Sequence, residues 1–291
     1  MIFTKGLHSP ETPRLFMDES AWLCMEMADR NWVTWISLDG KEHKKIAETK
    51  HACGLAVDKN NGIWLCERQQ PSLLFATLDG KVECFTTGTA EEPFLFPNDL
   101  CFGPDGCIYL TDSGMAMADW ESNGKIRPDY KTAQFDGRVF RINPQTRHVT
   151  KIDGGIKFTN GIAVGPDGKL YVNEMITGNI YRYDIRNAGR GKREYFGNVM
   201  DPDFKGEGFR GPDGMNFGSD GNLYCSVFGQ QDVTVLGKDG SVVRRIKTEG
   251  RLPTNVAFGP KGEKKLYVSE DQLGQVEVFD VDASAAKLYF G

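Results

Sequence analysis

The chain has 291 residues, with 34 Gly, 13 Pro, 11% aromatic and 26% charged residues, and a formal net charge of −5. Lys and Arg are interspersed with Asp and Glu, so there is no basic face for phosphate backbones or anionic lipid, and neither nucleic acid nor a membrane surface is expected as a partner. No stretch approaches the roughly 18 consecutive apolar residues of a spanning helix, and MIFTKGLHSP lacks the apolar core of a signal peptide, which predicts a cytoplasmic protein. The seven Cys are odd in number, scattered and without zinc spacing. The four His (8, 43, 51 and 148) form no close pair, so a metal here would have to be held by oxygens.

Along the chain one phrase returns. It reads GLAVDKNNGIWLCE from Gly54, DLCFGPDGCIYLTD from Asp99, GIAVGPDGKLYVNE from Gly161, GMNFGSDGNLYCSV from Gly214 and NVAFGPKGEKKLYVSE from Asn255. Each predicts a strand, a tight turn in which Gly supplies positive φ, and a second strand opening on an aromatic: Trp64, Tyr109, Tyr171, Tyr224 or Tyr267. Trp22 in AWLCMEM marks a divergent first copy. Further β-rich runs follow each phrase (SLLFATLDGK, RVFRINPQT, NIYRYDIRN, VTVLGKDGS, QVEVFDVDAS), so each copy is a four-stranded meander.

Copies recurring as fixed quartets fit radially repeated blades better than a sandwich. The expected architecture is therefore all-β: one six-bladed β-propeller of antiparallel four-stranded blades over residues 1–291, its ring closed by the termini. IFTK near residue 2 and AKLYF near residue 287 are both candidate closing strands. Two insertions break the rhythm, Ser113 to Phe135 in the third blade and Asp201 to Gly211 before the fifth, and long loops are where function tends to sit.

The first strand of each blade lines the channel, so equivalent positions at its start form a ring. Counting back from the aromatic marker gives Glu11, Cys53, Asn98, Asn160, Asp213 and Thr254. Two carboxylates and two carboxamides converging without His or thiolate suit a hard divalent cation, Ca2+ or Mg2+, with Mn2+ or Zn2+ able to compete. Asn, Asp and Gly-adjacent acids are also ordinary turn residues, but coincidence at one repeat position favours the ring.

Glu11-Thr12-Pro13, Pro97-Asn98-Asp99, Thr159-Asn160-Gly161 and Gly211-Pro212-Asp213-Gly214-Met215 resemble, in order and spacing, the signature segments of the senescence-marker-protein, gluconolactonase and luciferin-regenerating-enzyme superfamily. The resemblance spans essentially the whole chain. It implies a six-bladed propeller holding one divalent cation, usually Ca2+ or Zn2+, and a lactonase acting on a small molecule as a monomer or small homo-oligomer. By motif, Glu11, Asn160 and Asp213 become metal ligands, Asn98 a fourth ligand or substrate contact, and Asp213 the candidate base. A lactone carbonyl polarised by the cation would be attacked by water activated by Asp213 or by the cation itself. Two other readings keep the same fold: a phosphotriester or fluorophosphate hydrolase, and a non-catalytic propeller that uses the cation to rigidify its axis.

The chain departs from the pattern at the mouth. Phe96 stands where animal members carry an Arg, and Cys53 where many bacterial relatives have Asn. With Met115, Met117 and Trp120 in the first insertion, this predicts a lactone more apolar or smaller than a sugar lactone. Asp112 and Arg210 are further substrate-contact candidates, Arg210 alternatively pairing with Glu207. Cys53 reads as a small buried filler in preference to a reactive thiol, and His51 as a surface residue. Glu67, Asp112, Glu174 and Glu270, three residues after the marker, read as strand-end hydrogen-bonding acids. No GxSxG elbow or P-loop is present.

Overall fold

The computed structural model describes residues 1–122, 125–186 and 191–291; the turn expected at the end of NIYRYDIRN and Asn123-Gly124 of the first insertion lie outside the described residues. Six four-stranded antiparallel sheets form six blades. Blade one comprises Pro10–Leu15, Trp22–Glu26, Trp32–Ile36 and His43–Glu48. The inner strands of the next four blades are Ala52–Val57, Pro97–Phe102, Thr159–Val164 and Gly211–Phe217. Blade six carries Pro253–Phe258, Lys265–Glu270 and Gln275–Asp280. Each inner strand neighbours the next, and the sixth returns to the first, closing the ring.

Burial follows radius. The second strands, such as Trp22–Glu26 and Ile63–Glu67, are buried throughout, whereas outer strands such as Val242–Lys247 are largely exposed. Apolar cores fill the wedges between neighbouring blades. The aromatic markers tie each hairpin shut. Tyr109, Tyr171 and Tyr224 donate to Asp105, Asp167 and Asp220 of their own turns at 2.9–3.1 Å, and Trp64 Nε1 donates to Asp58 at 3.0 Å. The Asp of the turn motif thus gives the buried phenol or indole its partner. In blade one, whose turn differs, Trp22 Nε1 has none among the described residues and its ring packs on Tyr267 at 4.4 Å.

The closing strand is the N-terminal one: Ile2–Lys5 pairs with Gln275–Asp280 as the outermost strand of blade six. AKLYF forms no strand. It crosses the lower end of the channel instead, where Ala286 N donates to Phe217 O (3.1 Å) and Lys59 N to Phe290 O (2.8 Å). All seven thiols are free, and five are buried as small core residues. No helix among the described residues is long and apolar enough to cross a membrane.

Candidate metal centre and mouth

All six inner strands share an irregularity that alternating strand geometry does not supply. Their ladders with the second strand slip at the ring position: between Glu11 and Arg14, Ala52 and Leu55, Pro97 and Leu100, Thr159 and Ile162, Pro212 and Met215, and Pro253 and Asn255. A bulge of this kind releases a residue from the ladder and re-aims its side chain. Glu11, Asn98, Asn160 and Asp213 accordingly sit together at the top of the channel, each retaining only 5–9% exposure.

A bulge also strips the ring carbonyls of their ladder partners, and a buried orphan carbonyl costs about 1–3 kcal/mol. Side chains repair this all the way round. Thr12 Oγ1 donates to Cys53 O (3.3 Å), Cys53 Sγ to Asn98 O (3.0 Å), Thr111 Oγ1 to Asn160 O (2.5 Å), Asn173 Nδ2 to Asp213 O (2.6 Å) and Ser226 Oγ to Thr254 O (2.8 Å). Each of these donors comes from the preceding blade. Cys24 Sγ closes the belt on Glu11 O at 3.2 Å from its own blade. Gly161 is required by the same crowding, since a Cβ there would run into Asp213 O. The acids after the second strands hold the loops that lead into the ring. Glu67 accepts from Lys50 N and His51 N, Asp112 from Leu95 N, Glu174 from Lys157 N and Glu270 from Leu252 N, in agreement with their expected strand-end role.

The electrostatics of the ring are those of a buried pair of acids with no ion-pair partner among the described residues. Burial pushes the Glu11 carboxyl up to about 7, against hydrogen bonds from Asn255 Nδ2 (2.9 Å) and from Thr12 Oγ1 (3.1 Å), whose single proton is shared with Cys53 O. Burial, then the nearby charges of Glu11 and Asp99, push Asp213 well above the carboxylate range, while Asn160 pulls it down. Asp99, one residue past Asn98, is 2% exposed, and its Oδ2 has no hydrogen-bond partner among the described residues. No Lys, Arg or His forms an ion pair with any of these three acids among the described residues. Asn98 Nδ2 is engaged by Ser113 Oγ (3.0 Å), which leaves the amide oxygen for a ligand.

Two ring carboxylates, two amides and an orphaned acid oxygen beneath them fit a hard divalent cation, whose charge would offset the burial and the repulsion that raise both acids. Among the described residues no three His, Cys, Asp or Glu side chains gather at metal-binding spacing; the candidate donor set is half carboxamide.

Above the ring the two insertions meet. Trp120, on the short helix Met117–Trp120, packs on Phe158 (4.3 Å between centroids) and on Phe209 of the second insertion (5.3 Å), and Phe96 meets Phe158 edge-on at 5.6 Å. Met115 and Met175 complete this aromatic lid and Met117 packs against it, so Phe96, Met115, Met117 and Trp120 lie in one apolar cluster. The other contact candidates are engaged elsewhere. Asp112 is fully buried in an ion pair with Arg138 (3.0 Å). Arg210 donates to Asp201 O and Gln230 Oε1, both at 2.9 Å, and so braces its loop without pairing with Glu207. Burial pushes the Cys53 thiol up to about 12, which makes it a structural donor and not a nucleophile. His51 is half-buried, not a surface residue, and burial, then the Arg68 charge, lowers it to about 4, so it is neutral at pH 7.

Repeat arithmetic located the ring but passed over the belt, although four of its donors, Cys24, Thr111, Asn173 and Ser226, lie two residues after a marker. Phe158 stands two residues before Asn160 as Phe96 does before Asn98, a signal the repeat offered, whereas Phe209 and Arg68 carry none and only the fold brings them to the mouth.

A gluconolactonase from Zymomonas mobilis is 31% identical over 181 residues, covering 60% of this chain and 48% of that protein, so the chain spans about half the length of this curated relative. A solved gluconolactonase from Xanthomonas campestris superposes with a TM-score of 0.79 at 22% identity, over 96% of this chain and 88% of that one. Regucalcin from Agrobacterium tumefaciens, a calcium-binding protein, superposes at 0.77 with 17% identity, over 100% and 98%. The family model of the SMP-30/gluconolactonase/LRE-like region matches residues 9–271, from the loop before Glu11 to the end of the sixth blade's second strand, and the chain belongs to that family.

Proposed function

We propose that this protein is a cation-dependent hydrolase that opens a small-molecule lactone. The observation that carries the reading is the buried acid pair Glu11 and Asp213, without an ion-pair partner among the described residues and flanked by Asn98 and Asn160, at the upper end of the channel. The relationship to a gluconolactonase supports the reaction class. Glu11, Asn160 and Asp213 would hold the ion, with Asn98 as fourth ligand or substrate contact. A divalent cation bound there, Ca2+ ahead of Zn2+, Mn2+ and Mg2+, would polarise the lactone carbonyl and keep both carboxylates ionised. The calcium-binding regucalcin neighbour favours Ca2+.

The chain's own residues then have defined tasks. Asp213 takes a proton from the attacking water and returns it to the ring oxygen as the acyl C–O bond breaks, which yields the hydroxy acid. Asn173 fixes the Asp213 backbone through its carbonyl, and Ser113 fixes the Asn98 amide. The aromatic lid excludes bulk water and selects an apolar lactone face, so alkyl lactones are expected to be turned over faster than gluconolactone.

The test is metal analysis of protein purified without chelator, followed by turnover of a lactone panel after chelation and add-back of Ca2+, Mg2+, Mn2+ or Zn2+. About one ion per chain and restored hydrolysis are expected. Full activity in metal-free protein would overturn the cation; hydrolysis of organophosphates alone, or of nothing, would overturn the lactone.

A further inference from the structure

We propose that Arg68 anchors an anionic group of the substrate, so that the lactone carries a carboxylate beside its apolar face. The word lactone rests on the reading above; the anion site does not.

Arg68 follows the second strand of blade two, Ile63–Glu67, at the rim of the mouth. Its guanidinium lies over the Phe96 ring at 5.4 Å, at the edge of the lid and two residues from Asn98. Nε donates to His51 O at 3.3 Å, which fixes the plane of the fork. Beyond that the side chain's only hydrogen bond among the described residues is a weak one from Nη2 to Met27 Sδ at 3.3 Å. No carboxylate lies within ion-pair distance among the described residues.

The neighbouring arginines differ in this respect. Arg127 pairs with Asp129, Arg138 with Asp112 and Glu92, Arg30 with Glu26, and Arg210 and Arg251 bond to loop carbonyls. Arg68 alone among these has neither a carboxylate nor a backbone oxygen on its terminal nitrogens among the described residues. Its charge also reaches the ring, since it lowers the Asp213 carboxyl and the Cys53 thiol against the larger upward push of burial.

A half-buried guanidinium over an aromatic ring, its Nε tied to a backbone carbonyl, retains N–H groups on Nη1 and Nη2 that can make two parallel hydrogen bonds to one planar carboxylate. His51, neutral at pH 7, does not compete for the anion. One fixed fork matches one singly charged planar group, while the lid offers only apolar surface to the rest of the molecule.

The experiment compares a γ-lactone bearing a carboxylate with its neutral carboxamide, in cation-loaded full-length protein. The acid is expected to show a kcat/KM at least about tenfold higher, with the ratio falling toward one in Arg68→Met and partly recovered in Arg68→Lys, which keeps the charge without the fork. Thermal unfolding of each variant reports folding independently. A ratio near one in the parent, or an unchanged ratio in a folded Arg68→Met, overturns the proposal while leaving the hydrolase reading intact. If the parent opens neither lactone, calorimetric binding of a γ-lactam carboxylate and its carboxamide decides the anion site separately. Tighter binding of the acid, lost in Arg68→Met, supports it, and equal binding overturns it.

Discussion

The two ends of the channel are built from the same six strands and differ in nearly every physical respect. At the upper end the strands carry Glu11, Asn98, Asn160 and Asp213 in their first three residues, and the backbone is held by a belt of side-chain donors. Four residues further on, the same strands present Leu15, Phe102, Val164 and Phe217 around a cavity of about 140 Å3, which the C-terminal tail crosses with Leu288, Tyr289 and Phe290. The lower end buries apolar surface and stabilises the ring of blades. The upper end concentrates like charge in a buried site and costs stability until something positive enters. A repeat fold can carry so unfavourable a cluster because the two ends are separated along every inner strand.

That contrast can be broken at several points. The largest effect is expected from Asp213→Asn: lactone turnover should fall about a thousandfold and calorimetric cation binding should vanish, while the chelated protein melts at a higher temperature than the parent because one anion of the pair is gone. A variant that binds no cation yet retains turnover would break the contrast outright.

Next comes pH. The Glu11 carboxyl is raised to about 7 in the metal-free fold, so between its ordinary value near 4.5 and 7 the native state holds more protons than the unfolded one. Its stabilising contribution is present below that window and lost above it. Chelated protein should therefore lose up to about 3 kcal/mol from pH 5 to pH 8, read as a falling Tm, and Asp213 acts in the same sense. Glu11→Gln should flatten the profile. Cation affinity should run the opposite way, rising through pH 7.

Asn173→Ala tests the belt. Leaving the Asp213 carbonyl without its donor should cost about 2 kcal/mol and lower kcat by about tenfold, although Asn173 is not placed to touch substrate. The smallest effect is expected at the lower end, where removal of residues 284–291 should reduce Tm by about 5 °C through exposed apolar surface and leave kcat within threefold. A large loss of turnover on that truncation would show that the two ends are coupled.

The positions of Glu11, Asn98, Asn160 and Asp213 were legible in the sequence because a repeat turns spatial equivalence into counting: each sits at a fixed distance from a buried aromatic that every blade needs for packing. The blade number, the turns and the tying acids Glu67, Glu174 and Glu270 followed for the same reason, since local hydrogen-bonding chemistry recurs with the period. Which terminus would pair was not readable, because IFTK and AKLYF have similar strand character and only the position of each chain end relative to the sixth blade distinguishes them. Nor did loop length reveal that Asp112 and Arg210 are spent on bracing. Arg68 on Phe96, and Trp120 between Phe158 and Phe209, join residues far apart in the chain that share no period. Local propensity and repetition dictate what each blade is, whereas contacts between insertions of different blades exist only once the ring has closed, and those contacts shape the mouth.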